Sequence, residues 1–347
     1  MSASALAIIV AGIAGVALTA YLLLGGADYG GGVWDLLASG PRRTQQRELI
    51  AHAIGPIWEA NHVWLILIVV LLFTCFPPAF AALTTVLHIP LTLLLIGIVL
   101  RGSAFTFRAY DATHSAVQER WGMIFAMASV LAPVLLGIVV GAIASDGVGT
   151  AWATLGQSGV EFVPVFISSW LNAFTVCLGL MTLVMVAFLA ATYLTVEAAH
   201  DRELQNDFRR RAIISALVLP VIAYATLVAA EPLAPRVHKV LLHLPIQIAA
   251  TIAGLGALVA LWTRRFRVAR VCAAALVVVI LWGWMFAQFP FLIPPVLTLF
   301  EAAAPPPTLR AFLGAIAVGF VVLIPSLWYL YGVFRGSPHP SAPETHH

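Results

Sequence analysis

Charge is scarce in this sequence. Of its 347 residues only 10% are Asp, Glu, Lys or Arg, while 61% are hydrophobic and the mean hydropathy is +0.99. A soluble domain carries about 25% charged residues, so the shortage excludes a soluble enzyme and places the chain in a membrane. With so little charge in its apolar runs, no nucleic-acid partner is expected. Cysteine is nearly missing too. Cys75, Cys177 and Cys272 each sit in an apolar run, and no CxxC or Cys/His spacing is present. That argues against a disulfide framework or a structural zinc site and makes the three thiols small buried hydrophobes. The alternating pattern of barrel strands is absent, which leaves helices. No basic residue precedes the first apolar run, so a cleaved signal peptide is not expected. No connection is long enough for a soluble domain, and no internal repeat is visible.

What is present is a series of apolar runs near the length of roughly 20 residues that a membrane helix needs. Nine spans are expected, near residues 5–24, 57–75, 80–100, 121–143, 164–194, 212–230, 243–262, 271–288 and 311–334. The fifth is long enough to be tilted or to protrude. Residues 290–307, with six prolines, read as an irregular external loop or a shallow re-entrant piece. Residues 1–336 are expected to form one integral membrane domain and residues 337–347 a disordered tail. Basic residues set the orientation. Fifteen of the 18 Lys and Arg fall in the connections after odd-numbered spans and in the tail; only Arg236, Lys239 and Arg310 fall on the other side. By the positive-inside rule the N-terminus is outside and the C-terminus cytoplasmic.

Two stretches carry polar groups where apolar ones are expected. Gly55-Pro-Ile-Trp-Glu-Ala-Asn-His-Val-Trp64 puts Glu59, Asn61 and His62 at the start of the second span, with Glu59 and His62 three apart on one helix face. A charged side chain at mid-bilayer costs about 2.5–3.5 kcal/mol on the lenient insertion scale, so such residues are functional candidates. The other stretch, Gly25-Gly-Ala-Asp-Tyr-Gly-Gly-Gly32, follows the first span. Gly26 and Gly30 make a small-xxx-small pair suited to close helix packing, and no Walker spacing supports a phosphate loop. Asp28 stands beside the pair, with Asp35 two turns on along the same face. Topology brings Asp28 and Glu59 to the same cytoplasmic third. Two readings stay open. The acids conduct protons, with Asn61 and His62 relaying, or the group is a polar cluster that joins helices. A haem held by His62 and His88 is a further reading on paper. Arg101 reads as a cytoplasmic anchor, with pairing to Glu59 the lesser option, and Trp58, Trp64, Trp121, Trp152, Trp262 and Trp328 read as interface anchors.

The Gly26–Gly32 motif, the basic connection with Arg42, Arg43 and Arg47, the Gly55–Trp64 stretch and the ending Trp328-Tyr-Leu-Tyr-Gly-Val-Phe-Arg-Gly336 together resemble subunit II of cytochrome bd-type quinol oxidases. Glu59 and His62 resemble the cyanide-insensitive branch, where other members carry Asp and Gln. The resemblance implies an all-α polytopic fold of two four-helix bundles plus one peripheral helix in a bacterial cell membrane. It implies a heterodimer with subunit I, which binds two haems b and a haem d (or a further haem b) and handles membrane quinol and dioxygen. Small accessory subunits and a structural quinone or lipid are left open. No haem is expected to be ligated by this chain. Its acids, matching Asp28 and Glu59, are implied to feed protons from the cytoplasm toward the oxygen-reducing haem. The chain departs from some members in lacking an Asp ahead of Asp28 and in having Thr106 where others have Asp. The rivals are a purely structural partner subunit and a proton-coupled secondary transporter.

Overall fold

A computed structural model describes residues 2–54, 58–110 and 115–335; among these, the side chains of residues 58, 59, 108–110, 115–119, 331 and 333–335 lie outside what is described. The expected tail, 337–347, also falls outside. Almost every described segment is helical: α1 (Ala3–Leu36), α2 (Arg43–Ile54), α3 (Trp58–Cys75), α4 (Pro77–Val86), α5 (His88–Tyr110), α6 (Ser115–Ala144), α7 (Gly147–Thr154), α8 (Ala173–Glu197), α9 (Arg202–Leu233), α10 (Pro235–Leu241), α11 (Leu244–Trp262), α12 (Phe266–Gln288), α13 (Leu299–Ala302) and α14 (Pro306–Arg335). Eight helical segments are long and apolar enough to cross a membrane, and nine when the bent pair α3–α4 is counted as one. They pack as two bundles, α1/α3/α5/α6 and α8/α9/α11/α12, joined where α1 and α6 meet α8, with α14 packing mainly against α1 and α3 at the rim.

The glycine run does not interrupt α1. Glycine inside a helix costs about 0.5–1 kcal/mol relative to alanine, so packing must offset it. Gly26 and Gly30 both face Val186 on α8, and a Cβ on Gly30 would strike the Val186 carbonyl oxygen. The small-xxx-small reading thus holds: the absent side chains let two backbones touch. One turn further, Trp34 Nε1 donates to the Ala187 carbonyl across the same seam, at 2.7 Å.

Three span boundaries depart from the sequence reading. The third crossing does not begin near residue 80 as the sequence predicts: Pro77 and Pro78 end α3, and the chain bends by 116° into α4. Proline fits a helix's first turn and cannot continue the preceding one. The crossing itself is α5, from His88. The long fifth run is broken instead of tilted. A short π-helical turn over Pro164–Ser168 precedes Asn172, whose side chain caps α8 in a reciprocal pair with Thr175. Residues 290–307 are more ordered than a proline-rich loop suggests. They form an antiparallel hairpin, β1 (Phe291–Ile293) with β2 (Leu297–Thr298), and then α13. The Ala304 amide donates to the Cys75 carbonyl at 2.8 Å, tying this segment to the end of α3.

The basic connections gather at one end of the bundles. Arg209 on α9 donates to the Leu261 carbonyl at the end of α11 (2.7 Å), and Arg211 reaches the Leu37 carbonyl after α1 (3.2 Å). The hairpin, α4 and α7 close the opposite end. Trp64 is not an interface anchor: it is half-buried, and its ring packs on Phe320 of α14 with centroids 6.4 Å apart. Trp262 and Trp328, 72% and 82% exposed, fit that role.

Candidate functional site

A buried polar cluster lies between α1, α3, α5 and α6. Asp28 is 3% exposed and Asn61 fully buried, and Asn61 Nδ2 donates a short hydrogen bond to Asp28 Oδ2. Tyr21 and Tyr29, both buried, join their hydroxyls at 2.9 Å. The Tyr21 ring meets the His62 ring edge-on, with centroids 6.3 Å apart. Arg101, from α5, is 2% exposed. Its guanidinium lies 4.7 Å above the Tyr29 ring and 5.3 Å from that of Phe125, and its Nε donates to Ser129 on α6 at 3.2 Å. Arg101 thus shares the buried cluster with Asp28 and both phenols. A cation and a carboxylate buried in an apolar bundle offset each other's desolvation only while both are present.

The structure brings Asp28 and Asn61 together, with His62 adjoining through Tyr21. Glu59 sits in the first turn of α3, one turn before His62, and its side chain lies outside the described residues. Arg101 is a correction: it is no headgroup anchor but the cluster's buried cation. The expected run of apolar residues to its N-terminal side concealed that the helix continues through it to Tyr110. Tyr21 and Tyr29 were passed over altogether. The usable signal was spacing, since Tyr21 is seven residues before Asp28 and so on the same stripe of α1. His62 and His88 are not brought together. They bracket the length of α3 and α4, His62 near the basic end and His88 at the start of α5 near the other, where its Nδ1 bonds the Thr85 carbonyl at 2.9 Å and its ring packs on Phe166. They do not form a two-histidine haem site with each other. Among the described residues no group of three or more His, Cys, Asp or Glu side chains is placed to hold a metal ion.

Between this cluster and the basic end lies an ionic layer. Asp35, 3% exposed, receives Arg47 in two hydrogen bonds, 3.1 Å from Nε and 2.9 Å from Nη2. Arg42 forks onto Asp207 of α9 at 2.8 and 2.7 Å and also donates to Glu203 at 2.7 Å. The hydrogen bond to Asp207 holds the Arg42 guanidinium above its ordinary range. Gln46 links the layers, donating to Asp207 at 2.9 Å and accepting from Arg211 at 2.7 Å. The two-residue-wide forks suit Arg and not Lys.

The second bundle holds a different feature. A cavity of about 610 Å³ lies among α1, α6, α8, α9, α11 and α12, lined by apolar side chains including Leu22, Met181, Phe188, Leu219 and Leu281. Trp284 also lines it, with Nε1 buried and without a hydrogen-bond partner among the described residues. That volume falls in the range of small-molecule sites, roughly 300–1,000 Å³.

Comparison with known proteins gives the context. Over 90% of its length the chain is 23% identical to a putative cytochrome bd menaquinol oxidase subunit II of Bacillus subtilis, covering 91% of that protein. Over 61% of its length it is 26% identical to a cytochrome bd ubiquinol oxidase subunit 2 of the same organism, covering 60% of it. It matches 52% of the Escherichia coli cytochrome bd-I ubiquinol oxidase subunit 2, again at 26% identity. The chain thus aligns with little more than half the length of two of these relatives. Its fold is similar to a chain in the structure of bd oxidase from Geobacillus thermodenitrificans, with a TM-score of 0.71 at 19% identity, covering 95% of this chain and 98% of that one. The family model for cytochrome bd terminal oxidase subunit II matches residues 6–334, nearly all of the sequence, and the chain belongs to that family.

Proposed function

We propose that this chain is the non-haem subunit of a membrane quinol:oxygen oxidoreductase, and that it delivers cytoplasmic protons toward the site where its partner reduces dioxygen. Subunit I is the partner, and membrane quinol and dioxygen are its substrates. It carries two haems b and a haem d, or a further haem b, which supply the electron transfer and oxygen chemistry. The chain lies in a bacterial cell membrane with its N-terminus outside and its basic end in the cytoplasm, by the positive-inside rule. Residues 1–336 make a single membrane domain, and small accessory subunits complete the assembly where they are present. The cavity in the second bundle accommodates a structural quinone or a lipid tail, for which its apolar lining and the Trp284 indole N–H are suited.

The observation that carries the proton reading is Asp28, buried inside the bundle and hydrogen-bonded to Asn61 across the α1–α3 seam. An ionisable side chain at membrane depth is costly and is retained for function by default. Asp28 lies seven residues inward of Asp35, about 10 Å along the helix axis, so the two acids mark steps from the ionic layer into the membrane. Glu59, one turn before His62, is the second acid at this depth. Asn61 holds the Asp28 carboxylate in place, and His62 takes or passes a proton beyond it.

The test is oxygen uptake by the assembled complex carrying Asp28→Asn or Glu59→Gln, expressed per haem. A positioned proton-transfer group contributes about 10²–10⁴-fold, so turnover per haem is expected to fall by at least about tenfold with haem content unchanged. Unchanged turnover and haem content remove the proton role. A second reading has its own support, because the Asp28–Asn61 bond also ties α1 to α3. If the variants lose assembled complex while turnover per haem stays at the parent value, the chain is a structural partner.

A further inference from the structure

We infer that Tyr29 and Tyr21 continue the proton path beyond Asp28, as a two-hydroxyl relay that ends at His62 and is held in register by Arg101. This deepens the proton reading above and rests on Asp28 as the site of uptake.

The geometry is unusual for tyrosines in a membrane helix. The two residues are eight apart on α1, about 12 Å along the axis. Their rings nonetheless lean together so that the hydroxyls meet at 2.9 Å, both side chains being 2% exposed. Packing does not require it, since two phenylalanines would fill the same space. A hydroxyl is both donor and acceptor, and either oxygen of this pair can be the donor. The bond can thus run in either direction, as a relay must.

Titratable groups flank the pair. Asp28 directly precedes Tyr29 on the helix, the Arg101 guanidinium covers the Tyr29 ring, and the Tyr21 ring meets the His62 ring edge-on. Arg101 Nη2 is buried and has no hydrogen-bond partner among the described residues. An unsatisfied donor of that kind is a place to hold water, and here it borders the Asp28–Tyr29 step. Arg101 is a positioning residue: the Ser129 bond and the Phe125 ring fix its guanidinium, and the guanidinium fixes the Tyr29 ring.

One passage balances as follows. Protonated Asp28 gives its proton, directly or through that water, to the Tyr29 oxygen, and the Tyr29 O–H proton moves to the Tyr21 oxygen. The Tyr21 O–H proton then moves to the His62 imidazole. Each phenol breaks one O–H bond and forms one. Asp28 ends as carboxylate, His62 ends as imidazolium, and rotation of both hydroxyls restores the starting direction once His62 has passed its proton on.

The experiment uses the assembled complex with Tyr21→Phe, Tyr29→Phe and the double variant, alongside Asp28→Asn, and Tyr329→Phe as a control on the exposed rim of α14. Phenylalanine keeps the rings and the Arg101 contact and removes only the hydroxyls. Oxygen uptake per haem is measured in H₂O and D₂O across quinol concentrations. Each tyrosine variant is expected to lose at least about tenfold in kcat, short of the full contribution of roughly 10²–10⁴-fold from a positioned proton-transfer group, with a larger solvent isotope effect and an unchanged quinol KM. The double variant is expected to be no slower than the slower single, because the hydroxyls act in series. If Asp28→Asn is slow and the tyrosine variants run at the parent rate, the relay is wrong and uptake at Asp28 stands. If Asp28→Asn runs at the parent rate, both fall. A structural role for the pair would lower assembled complex and leave turnover per haem and the isotope effect at parent values, which also overturns the relay.

Discussion

Gly30→Ala is the sharpest test of how α1 is seated. A Cβ at this position would overlap the Val186 carbonyl oxygen and come within 2.7 Å of Ala190 Cβ. Neither obstacle is the far end of a flexible side chain, so α1 and α8 must separate by more than about 1 Å to restore a contact distance of roughly 3.5 Å. Overpacking of this kind costs about 1–3 kcal/mol. The separation also strains the Trp34–Ala187 hydrogen bond on the same seam, a loss of roughly 0.6 kcal/mol by the average for bonds between membrane helices. Gly26→Ala makes the contrast. There the added Cβ lies 3.3 Å from Val186 Cγ1, a side-chain atom, so the cost is smaller and Val186→Ala should relieve it. Gly12→Ala meets nothing within 4 Å and should stabilise by about 0.5–1 kcal/mol through helix preference. The assay is the unfolding midpoint of the detergent-solubilised complex, with the expected order Gly12→Ala, parent, Gly26→Ala, Gly30→Ala. Val186→Ala should rescue Gly26→Ala and fail to rescue Gly30→Ala. A Gly30→Ala midpoint at the parent value, or its full rescue by Val186→Ala, would refute backbone contact as the reason for the glycine.

Two further predictions concern charged groups. Arg101→Met leaves the Asp28 carboxylate in the same buried cluster without a nearby cation to offset its charge, which is destabilising. The yield of haem-loaded complex should drop sharply and recover in part when Asp28→Asn is added; equal yields for the single and double variants would show that the two charges do not offset each other. Outside the spans, the Thr298 hydroxyl (2.7 Å) and amide (2.9 Å) hold the Glu301 carboxylate below its usual range. A depressed folded-state value stabilises α13 above the unfolded carboxylate value of about 4.3 and loses that contribution as pH falls below it. Amide exchange in residues 298–302, corrected for intrinsic rate, should therefore lose protection below about pH 4, and Thr298→Ala should flatten that dependence.

Composition and the distribution of arginine carried the sequence reading a long way. Nine apolar runs separated by alternately basic connections describe a polytopic helical protein, because the bilayer sets span length and leaves backbone groups no partner outside the helix. Errors came where proline decided a boundary. The apolar content of residues 77–86 and 80–100 is the same whether the chain crosses or turns, and only Pro77 and Pro78 at the start of α4 distinguish them. The break ahead of α8 was hidden likewise, since Pro164–Ser168 is as apolar as the helix that follows.

For the site, the sequence alone marked which acids are candidates for membrane depth. Asp28 and Glu59 stand out because a carboxylate in an apolar run is rare and expensive, and their shared depth follows from connectivity. Tertiary structure decided what surrounds them. Arg101 lies in sequence some seventy residues from Asp28, and only the meeting of α1, α5 and α6 makes it a buried cation instead of an anchor. The Tyr21–Tyr29 bond was equally beyond a linear reading, because residues eight apart lie about 12 Å apart along the helix axis and their hydroxyls meet only when the rings lean together. The glycine run shows both contributions at once: its composition fixed where backbones can touch, and the packing of α8 against it fixed that they do.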